Sequence, residues 1–311
     1  MRGNDRMTSQ LAPGELRARF VERATARFAA QVPDFVALQA LVRAQGGLLR
    51  NDHGAIRTAD PVLCDRFARA AAVLGLQREL DYDFPAKKLK SFDLQVPGED
   101  AGEFKIFVSQ VDLDAFLPAV AALIREDNAE QAAAVDHAPF DRLIDRAGRD
   151  GGLAEADAQA FVAHFVDRLM HRNGPPLKRA TLEAVAAVSG EAASALALGP
   201  DFNHVTIDVR AAGFAGIEAM AAAMQARGFR LLPAIQGAPG SKLRQTATLA
   251  QTMDTPVREA DGRLGQARTE KQFVEIIERN AVEPHDRVFK NFLAANAEKI
   301  FDAASTKAAR P

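Results

Sequence analysis

The chain has 311 residues, of which 48% are hydrophobic and 26% are charged, a composition typical of a globular protein with a substantial core. Its formal net charge of −2 comes from well-mixed acidic and basic residues, which argues against nucleic acid or an anionic lipid surface as a partner. The single cysteine, Cys64, excludes an internal disulfide and a thiolate metal cluster, and it predicts a small core residue and a reducing, cytoplasmic setting.

Residues 1–48 show helical spacing of apolar residues over 14–45, interrupted by Pro33, and this pattern predicts two helices. The first ten residues have no apolar run after their charges, so we expect no export signal. A stretch of about 18 consecutive apolar residues, which a membrane span needs, does not occur, and we expect no membrane insertion.

Residues 49–112 change from helical to alternating periodicity. A short strand, AIRTA, precedes a helix that is predicted to begin with Asp60 as its N-cap and Pro61 at its first position, and to end at Gly75. Three segments then alternate apolar with polar residues between Pro and Gly turns: LQRELDYDF, KLKSFDLQV and FKIFVSQVD. The predicted order of this first unit is β-α-β-β-β.

Residues 113–199 return to helical spacing in several segments and are predicted to form a helical insert. Residues 200–281 then repeat the order strand, helix and three strands, in the segments NHVTIDV, GFAGIEAMAAAMQARG, FRLLPAIQG, KLRQTATLAQ and KQFVEIIERN. A last amphipathic helix, DRVFKNFLAANAEKIFDAA, and a tail occupy residues 282–311. The pattern predicts an α+β fold in which residues 1–311 form one domain around two β-α-β-β-β units.

Two strands of the second unit have polar residues in positions that could form a site. In NHVTIDV the side chains of His204, Thr206 and Asp208 share one face, which lines a cavity if the sheet curls and faces solvent if it does not. Glu275 lies between two apolar neighbours on one face of KQFVEIIERN. An interior carboxylate there requires a nearby cation, because burying it unpaired costs several kcal/mol, whereas an outward-facing glutamate requires nothing.

His53, in the polar stretch RNDHGAIRTAD, completes a set of two imidazoles and one carboxylate with His204 and Glu275. Non-haem Fe(II) oxygenases use such a facial triad to hold substrate and O₂ together, but these residue types at such wide spacing have little specificity by themselves. His164 and His171, seven positions apart, have the spacing for a second metal. A helix-surface position fits them better, because no carboxylate motif is adjacent.

Four motifs resemble those of a known family in the same order: HGAIR at 53–57, FNHVTIDV at 202–209, LRQTAT at 243–248 and FVEIIER at 273–279. The last motif resembles the final strand of the hydroxyphenylpyruvate dioxygenase-like members of the vicinal oxygen chelate superfamily. Together the four resemble a narrower group, the 2-oxoadipate dioxygenase/decarboxylase family, also called hydroxyglutarate synthase. The chain is similar to the short branch of that family, whose best-understood members are considerably longer.

This resemblance implies that the paired units curl into a half-barrel mixed sheet around a metal, with helices packed outside. It implies that His53, His204 and Glu275 bind Fe(2+) and that Arg57 holds a carboxylate of the substrate. The planar fork of an arginine can grip a carboxylate through two hydrogen bonds. Without the resemblance, an ordinary surface position would be the preferred interpretation of Arg57.

The implied reaction combines a 2-oxo acid with O₂. For 2-oxoadipate the products are 2-hydroxyglutarate and CO₂, which is a step of lysine breakdown. The reaction needs no flavin or nicotinamide. Gln245 and Thr246 of LRQTAT are further candidates for hydrogen bonds to the substrate. Two other functions stay open: a metal-dependent isomerase or lyase on the same scaffold, and a non-catalytic module that binds a small acid. The sequence also leaves open whether the chain forms a homodimer.

Overall fold

The computed structural model describes residues 10–98, 101–282 and 287–301. Within these residues the helices are α1 (Pro13–Gln31), α2 (Pro33–Ala44), α3 (Pro61–Val73), α4 (Pro118–Ala133), α5 (Ala138–Asp150), α6 (Glu155–His164), α7 (Arg179–Ala186), α8 (Gly190–Leu198), α9 (Ile217–Ala226) and α10 (Ala294–Ile300). The strands are β1 (Gln10–Leu11), β2 (Asn51–Thr58), β3 (Gln77–Phe84), β4 (Leu89–Gln95), β5 (Lys105–Val111), β6 (Leu153–Ala154), β7 (Leu177–Lys178), β8 (Phe202–Asp208), β9 (Leu243–Ala247), β10 (Gln251–Arg258), β11 (Leu264–Arg279), β12 (Ala281–Val282) and β13 (Arg287–Val288).

A nine-stranded mixed sheet organises the described residues, in the order β3-β4-β5-β2-β8-β11-β10-β7 with β9 also paired to β11. Each unit contains a parallel pair, β2 with β5 and β8 with β11, and the antiparallel pairing of β2 with β8 joins the two units. The sheet stays open instead of closing into a barrel. The predicted α+β class, with paired units in one curled mixed sheet, is confirmed. Among the described helices, none has both the length and the apolar composition that a membrane crossing requires.

Apolar side chains of the strands separate into two layers. Ile56 and Val205 point to one face, where they pack in a core with α1, α2, α3 and α9. Ala55 and Phe107 point to the opposite face and pack with apolar residues of α7, α8 and the C-terminal residues. We call this second face the site face, because successive residues of a strand point to opposite sides and His53 and Arg57 therefore share it with Ala55.

Local signals determine the boundaries of the first helices as predicted. Pro33 begins α2, and its missing N–H separates α2 from α1. Asp60 caps α3 by accepting the amide proton of the residue two positions later, at 2.9 Å. Gly75 adopts a φ of 76° just after the helix, a conformation that costs glycine little. Cys64 is buried within α3, as expected for a core residue.

The second unit differs from its prediction in two strands. The strand predicted over 229–237 is wrong, because only isolated bridges form at Leu231 and Gln236, and Pro233 between them cannot donate to a ladder. Instead, β10 supplies a strand of this unit. It pairs with residues 264–272 of β11, whereas β9 pairs with residues 275–279 of the same strand. The sequence pattern missed β10 because most of its residues are at least partly exposed and because it contains Pro256.

The helix predicted over 286–304 is also wrong in its extent, because α10 covers only Ala294–Ile300. Residues 287–288 pair with β12, and the backbone carbonyl groups of residues 289–291 accept hydrogen bonds from the Arg279 side chain. The polar backbone groups of this stretch are thus satisfied outside a helix. The last three residues of the predicted helix and the predicted tail lie outside the described residues.

The helical insert is interrupted between His164 and His171. The α-helix ends at His164 and is followed by one π-helical turn, whose wider hydrogen-bond spacing changes the direction of later side chains. His164 Nε2 lies 2.9 Å from His137 Nδ1, and His171 Nδ1 lies 2.7 Å from an Nη atom of Arg27. Each histidine therefore has its own polar neighbour, and within the described residues neither belongs to a candidate metal cluster.

Candidate metal centre

Three neighbouring strands bring His53, Thr206 and Glu275 into one row on the site face. His53 of β2 lies opposite Thr206 of β8, and Thr206 lies opposite Glu275 of β11. His204 precedes Thr206 by two residues and therefore points to the same face. The register of the three strands places two imidazoles and one carboxylate side by side, although they are far apart in the sequence.

The possible donor atoms of these side chains converge. His204 Nε2 lies 3.2 Å and His53 Nε2 lies 3.6 Å from Glu275 Oε2. One ligand atom from each of the three residues can be chosen so that all lie within 4.8 Å of one another. The shorter distances are close to the separation of about 3 Å expected between neighbouring ligands of an octahedral ion with bonds of about 2.1 Å. The Thr206 hydroxyl donates to the same Glu275 oxygen, at 3.0 Å.

The surroundings of the cluster fit a bound cation. Glu275 is 2% exposed, and neither its Oε1 nor the Nδ1 of His204 has a hydrogen-bond partner among the described residues. Burial lowers the pKa of His204, which favours the neutral imidazole that a metal requires. A divalent cation would compensate the buried carboxylate charge, and a set of two nitrogens and one oxygen suits Fe(2+) while leaving coordination positions open.

A β-bulge in β2 gives His53 a supporting carboxylate. Asn51 pairs with Ile207 and His53 pairs with Thr206, so Asp52 is the extra residue in the strand. The bulge brings Asp52 onto the side of its neighbour, and Asp52 Oδ1 lies 2.8 Å from His53 Nδ1. An ionised Asp52 accepts the Nδ1 proton and leaves Nε2 as the ring nitrogen that faces the cluster, where it lies 3.0 Å from the Thr206 hydroxyl oxygen.

Asp52 is held in its ionised form by a buried network. Burial opposes ionisation, but the positive charges of Arg279 and Lys105, together with hydrogen bonds from His53 and Arg279, hold the pKa of Asp52 well below its usual range. Arg279 donates to both carboxylate oxygens of Asp52, at 2.7 and 2.8 Å, and Lys105 Nζ lies 3.8 Å from Asp52 Oδ2. The tautomer of His53 therefore follows from fixed charges around Asp52.

Arg57 is a buried cation on the same strand and the same face as His53. It is 3% exposed, its Nε has no hydrogen-bond partner, and among the described residues no carboxylate forms a salt bridge with it, although the charge of Glu191 acts on it from a greater distance. Burial lowers the pKa of Arg57 to about 10, so the guanidinium stays charged near neutral pH. The Phe301 ring packs against it, with its centroid 5.1 Å from the guanidinium carbon. A buried guanidinium without an acidic partner favours an anionic ligand.

A small cavity of about 20 Å³ adjoins the cluster and has room for about one water molecule. The sheet side of the cavity is lined by His53, Phe107, His204, Gln245 and Glu275. Its other side is formed by residues 287–301, which we call the C-terminal segment, through Phe292, Ala297, Ile300 and Phe301. The C-terminal segment therefore covers the candidate metal centre.

The remaining predicted site residues separate by strand alternation. Gln245 of β9 lines the cavity, whereas Thr246 points to the opposite face, where its hydroxyl lies 3.5 Å from the carbonyl oxygen of Ala234. Of these two candidates, Gln245 is the one placed to contact a ligand in the cavity, because adjacent residues of a strand point to opposite sides. Asp208, the third polar residue of its strand, pairs with Arg50 at 2.6 Å and does not join the cluster.

Sequence reasoning missed three residues around the cluster: Asp52, Arg279 and Phe292. Regular alternation would place Asp52 on the face opposite His53, so only the bulge reveals its position. Arg279 belongs to the motif FVEIIER, but nothing in the motif indicates a partner so far away in the chain. Phe292 packs edge-on against the His53 ring, with centroids 4.8 Å apart, within a segment that was predicted to be helical.

The curled sheet of paired β-α-β-β-β units, with two histidines and a glutamate on one face, has the architecture that the sequence resemblance implied. The model of the 2-oxoadipate dioxygenase/decarboxylase family matches residues 18–308. The chain belongs to this family. A search of curated protein sequences gives no significant match.

Solved structures show the same fold. A protein assigned to the glyoxalase superfamily from Ralstonia eutropha JMP134 is 22% identical, with a TM-score of 0.80 over 92% of this chain and 88% of that one. The hydroxyglutarate synthase of Oryza sativa, in complex with 2-oxoadipate, is 19% identical, with a TM-score of 0.73 over 99% of both chains. The hydroxyglutarate synthase of Pseudomonas putida is 22% identical, with a TM-score of 0.70 over 97% of this chain and 76% of that one. At these identities the comparison establishes the fold.

Proposed function

We propose that the protein is an Fe(2+)-dependent dioxygenase that decarboxylates a 2-oxo dicarboxylic acid, with 2-oxoadipate as the preferred substrate. The six-carbon acid and O₂ would give the five-carbon acid 2-hydroxyglutarate and CO₂, so that all atoms are accounted for. The observation that supports this proposal best is the placement of a His-His-Glu cluster and a buried arginine without an acidic partner on one face of the sheet. Family membership and the 2-oxoadipate named in the rice structure agree with it.

In this proposal His53, His204 and Glu275 hold the metal, and Arg57 binds the distal carboxylate of the substrate. When bound, iron supplies Lewis acidity and the activation of O₂. Four residues along a strand separate the Cα atoms of His53 and Arg57 by about 13 Å. Both side chains lie on the site face, so the 2-oxo acid end of a six-carbon diacid would lie at the cluster and its second carboxylate would be directed towards the guanidinium. Gln245 lines the cavity and is positioned to hydrogen-bond the substrate.

Substrate binding requires the C-terminal segment to move. The cavity of about 20 Å³ has room for about one water molecule, and a six-carbon acid is several times larger. Phe301 covers the Arg57 guanidinium, so its ring must also shift before a carboxylate can reach Arg57. After closure, the apolar side chains of Phe292, Ile300 and Phe301 would exclude water from the reacting groups. A cytoplasmic role in lysine breakdown is part of the same proposal.

The proposal is tested by loading the protein with Fe(2+) without oxygen and then measuring O₂ consumption with a series of 2-oxo acids. 2-Oxoadipate should be consumed faster than 2-oxohexanoate, which has the same length but no distal carboxylate, and faster than the shorter 2-oxoglutarate. O₂ uptake and CO₂ release should occur in equal amounts. Absence of O₂ uptake by the iron-loaded protein would rule out the dioxygenase.

Other results of the same experiment distinguish the remaining functions. Conversion of the acid without O₂ consumption would indicate an isomerase or lyase on this scaffold. Binding of the acid by a protein that retains no metal, with affinity unchanged in His204→Ala and Glu275→Ala, would indicate a binding module. A preference for 2-oxohexanoate would contradict the role of Arg57.

A further inference from the structure

Asp52 connects the candidate metal centre to a second buried residue, Arg279. One carboxylate oxygen of Asp52 lies 2.8 Å from His53 Nδ1, and both oxygens accept hydrogen bonds from Arg279. The pair is almost completely buried, with side-chain exposures of 2% for Asp52 and 5% for Arg279. Its geometry is the two-pronged arrangement in which an arginine holds a carboxylate most firmly.

Arg279 also holds the C-terminal segment. The Nη1 group that is not used by Asp52 donates to three successive backbone carbonyl groups, those of Phe289, Lys290 and Asn291, at 3.1, 2.9 and 2.8 Å. Its guanidinium carbon lies 5.3 Å from the ring centroid of Phe292. One side chain therefore joins Asp52 to the start of the stretch that covers the cavity.

Phe292 makes the connection to the cluster direct. Its ring packs edge-on against His53 on one side and under the Arg279 guanidinium on the other. The residues that follow it contribute Ala297, Ile300 and Phe301 to the cover of the cavity. The orientation of His53 and the closed position of the C-terminal segment thus depend on the same few contacts.

We propose that Asp52 and Arg279 are a pair of positioning residues that couples closure of the C-terminal segment to metal binding by His53. With the segment closed, Arg279 is fixed by three carbonyl groups, Asp52 is fixed by Arg279, and the His53 imidazole presents Nε2 to the metal. With the segment open, Arg279 loses those carbonyl groups and the support of His53 weakens. Closure and metal binding strengthen each other equally, because linkage between two equilibria is reciprocal. If closure raises the metal affinity by a given factor, a bound metal raises the equilibrium constant for closure by the same factor.

The inference rests on the metal role proposed above and is tested without an activity assay. Zn(2+) serves as the probe, its affinity is measured by competition with a chelator, and hydrogen exchange of the backbone amides in residues 289–301 reports closure. In the unmodified protein, Zn(2+) should slow this exchange. Asp52→Asn should weaken Zn(2+) binding by about 10- to 100-fold, the usual effect of losing the partner of a metal-bound histidine, and should remove the effect of Zn(2+) on exchange.

Arg279→Met tests the other half of the coupling, because it removes the hydrogen bonds to the segment without touching His53. It should speed the exchange of residues 289–301 with and without metal and should also weaken Zn(2+) binding. Asp127→Asn is the matched control, since Asp127 and Arg172 form another two-pronged pair in which the arginine also donates to backbone carbonyl groups. This control should change neither Zn(2+) affinity nor exchange in the segment.

The outcomes separate this inference from the proposed function. Exchange that is the same with and without Zn(2+) in the unmodified protein, or equal Zn(2+) affinities of Asp52→Asn and Asp127→Asn, would overturn the coupling. The first of these measurements needs no variant and so does not depend on how well a variant folds. A protein that shows the coupling but consumes no O₂ with 2-oxoadipate would refute the dioxygenase and leave the positioning pair in place.

Discussion

Replacement of Arg57 by methionine should stabilise the protein in the absence of ligand and weaken its selectivity for dicarboxylic acids. Burial lowers the pKa of Arg57 to about 10, from an ordinary value of about 12.5, which corresponds to about 3 kcal/mol against the charged form in the folded state. At pH 7.5 the arginine is charged both folded and unfolded, so this whole cost opposes folding; it decreases only as the pH rises above 10. Methionine keeps an apolar chain of similar shape and removes the charge.

The net effect is smaller than the electrostatic cost. Loss of the contact between the guanidinium and Phe301 should remove about 1 kcal/mol, which leaves an expected increase of about 2 kcal/mol in the free energy of unfolding of Arg57→Met. The variant should also lose a charge-assisted contact with the substrate carboxylate, which is about 1.5–3 kcal/mol. This loss corresponds to a decrease of about 10- to 150-fold in kcat/KM for 2-oxoadipate, with little change for 2-oxohexanoate.

Urea denaturation at pH 7.5 and O₂-electrode kinetics measure these two effects separately. Arg172→Met is the control, because Arg172 is also largely buried but is paired with Asp127, at 2.5 and 2.7 Å. Removal of one partner from such a pair should destabilise the protein by about 3–5 kcal/mol. Destabilisation by Arg57→Met as large as that of this control, or full retention of the preference for 2-oxoadipate, would contradict the role given to Arg57.

Four further predictions each concern one residue and its local surroundings. Glu275→Gln should lower Zn(2+) affinity at least about 100-fold in chelator competition, since it removes the only carboxylate of the cluster; affinity within a few-fold of the unmodified protein would exclude this ligand. Gly54→Ala should lower the free energy of unfolding by about 1–3 kcal/mol or more in urea titrations, because a Cβ at this position would lie 2.4 Å from the Phe202 ring. Burial lowers the pKa of His164 to about 4, so stability should be lost as the pH falls from about 6.5 towards 4, and His164→Gln should show a smaller loss over this range in thermal denaturation. Burial raises the pKa of the Cys64 thiol to about 12, so this thiol should resist iodoacetamide at pH 8 until the protein is unfolded, as checked by mass spectrometry.

Local chemistry made the first unit predictable. The missing N–H of Pro33, the side chain of Asp60 and the freedom of Gly75 to adopt positive φ determine helix ends from neighbouring residues alone. Alternation of apolar residues identified β8 and the final part of β11 for the same reason. Predictions failed where distant contacts decided the conformation: Arg279 holds residues 289–291 out of a helix, and pairing with β11 stabilises the largely polar β10.

For the candidate site, the sequence by itself determined the residue types and, through the four motifs, the family whose members they resemble. Whether His53, His204 and Glu275 meet was decided by the register of β2, β8 and β11, because side chains share a face only when pairing aligns the strands that bear them. Tertiary structure also decided that Asp52 joins His53, through a one-residue bulge that alternation cannot reveal, and that Arg57 is buried without an acidic partner. Each of these features depends on which residues strand pairing brings together. The pattern of one sequence does not show this pairing until the sheet has formed.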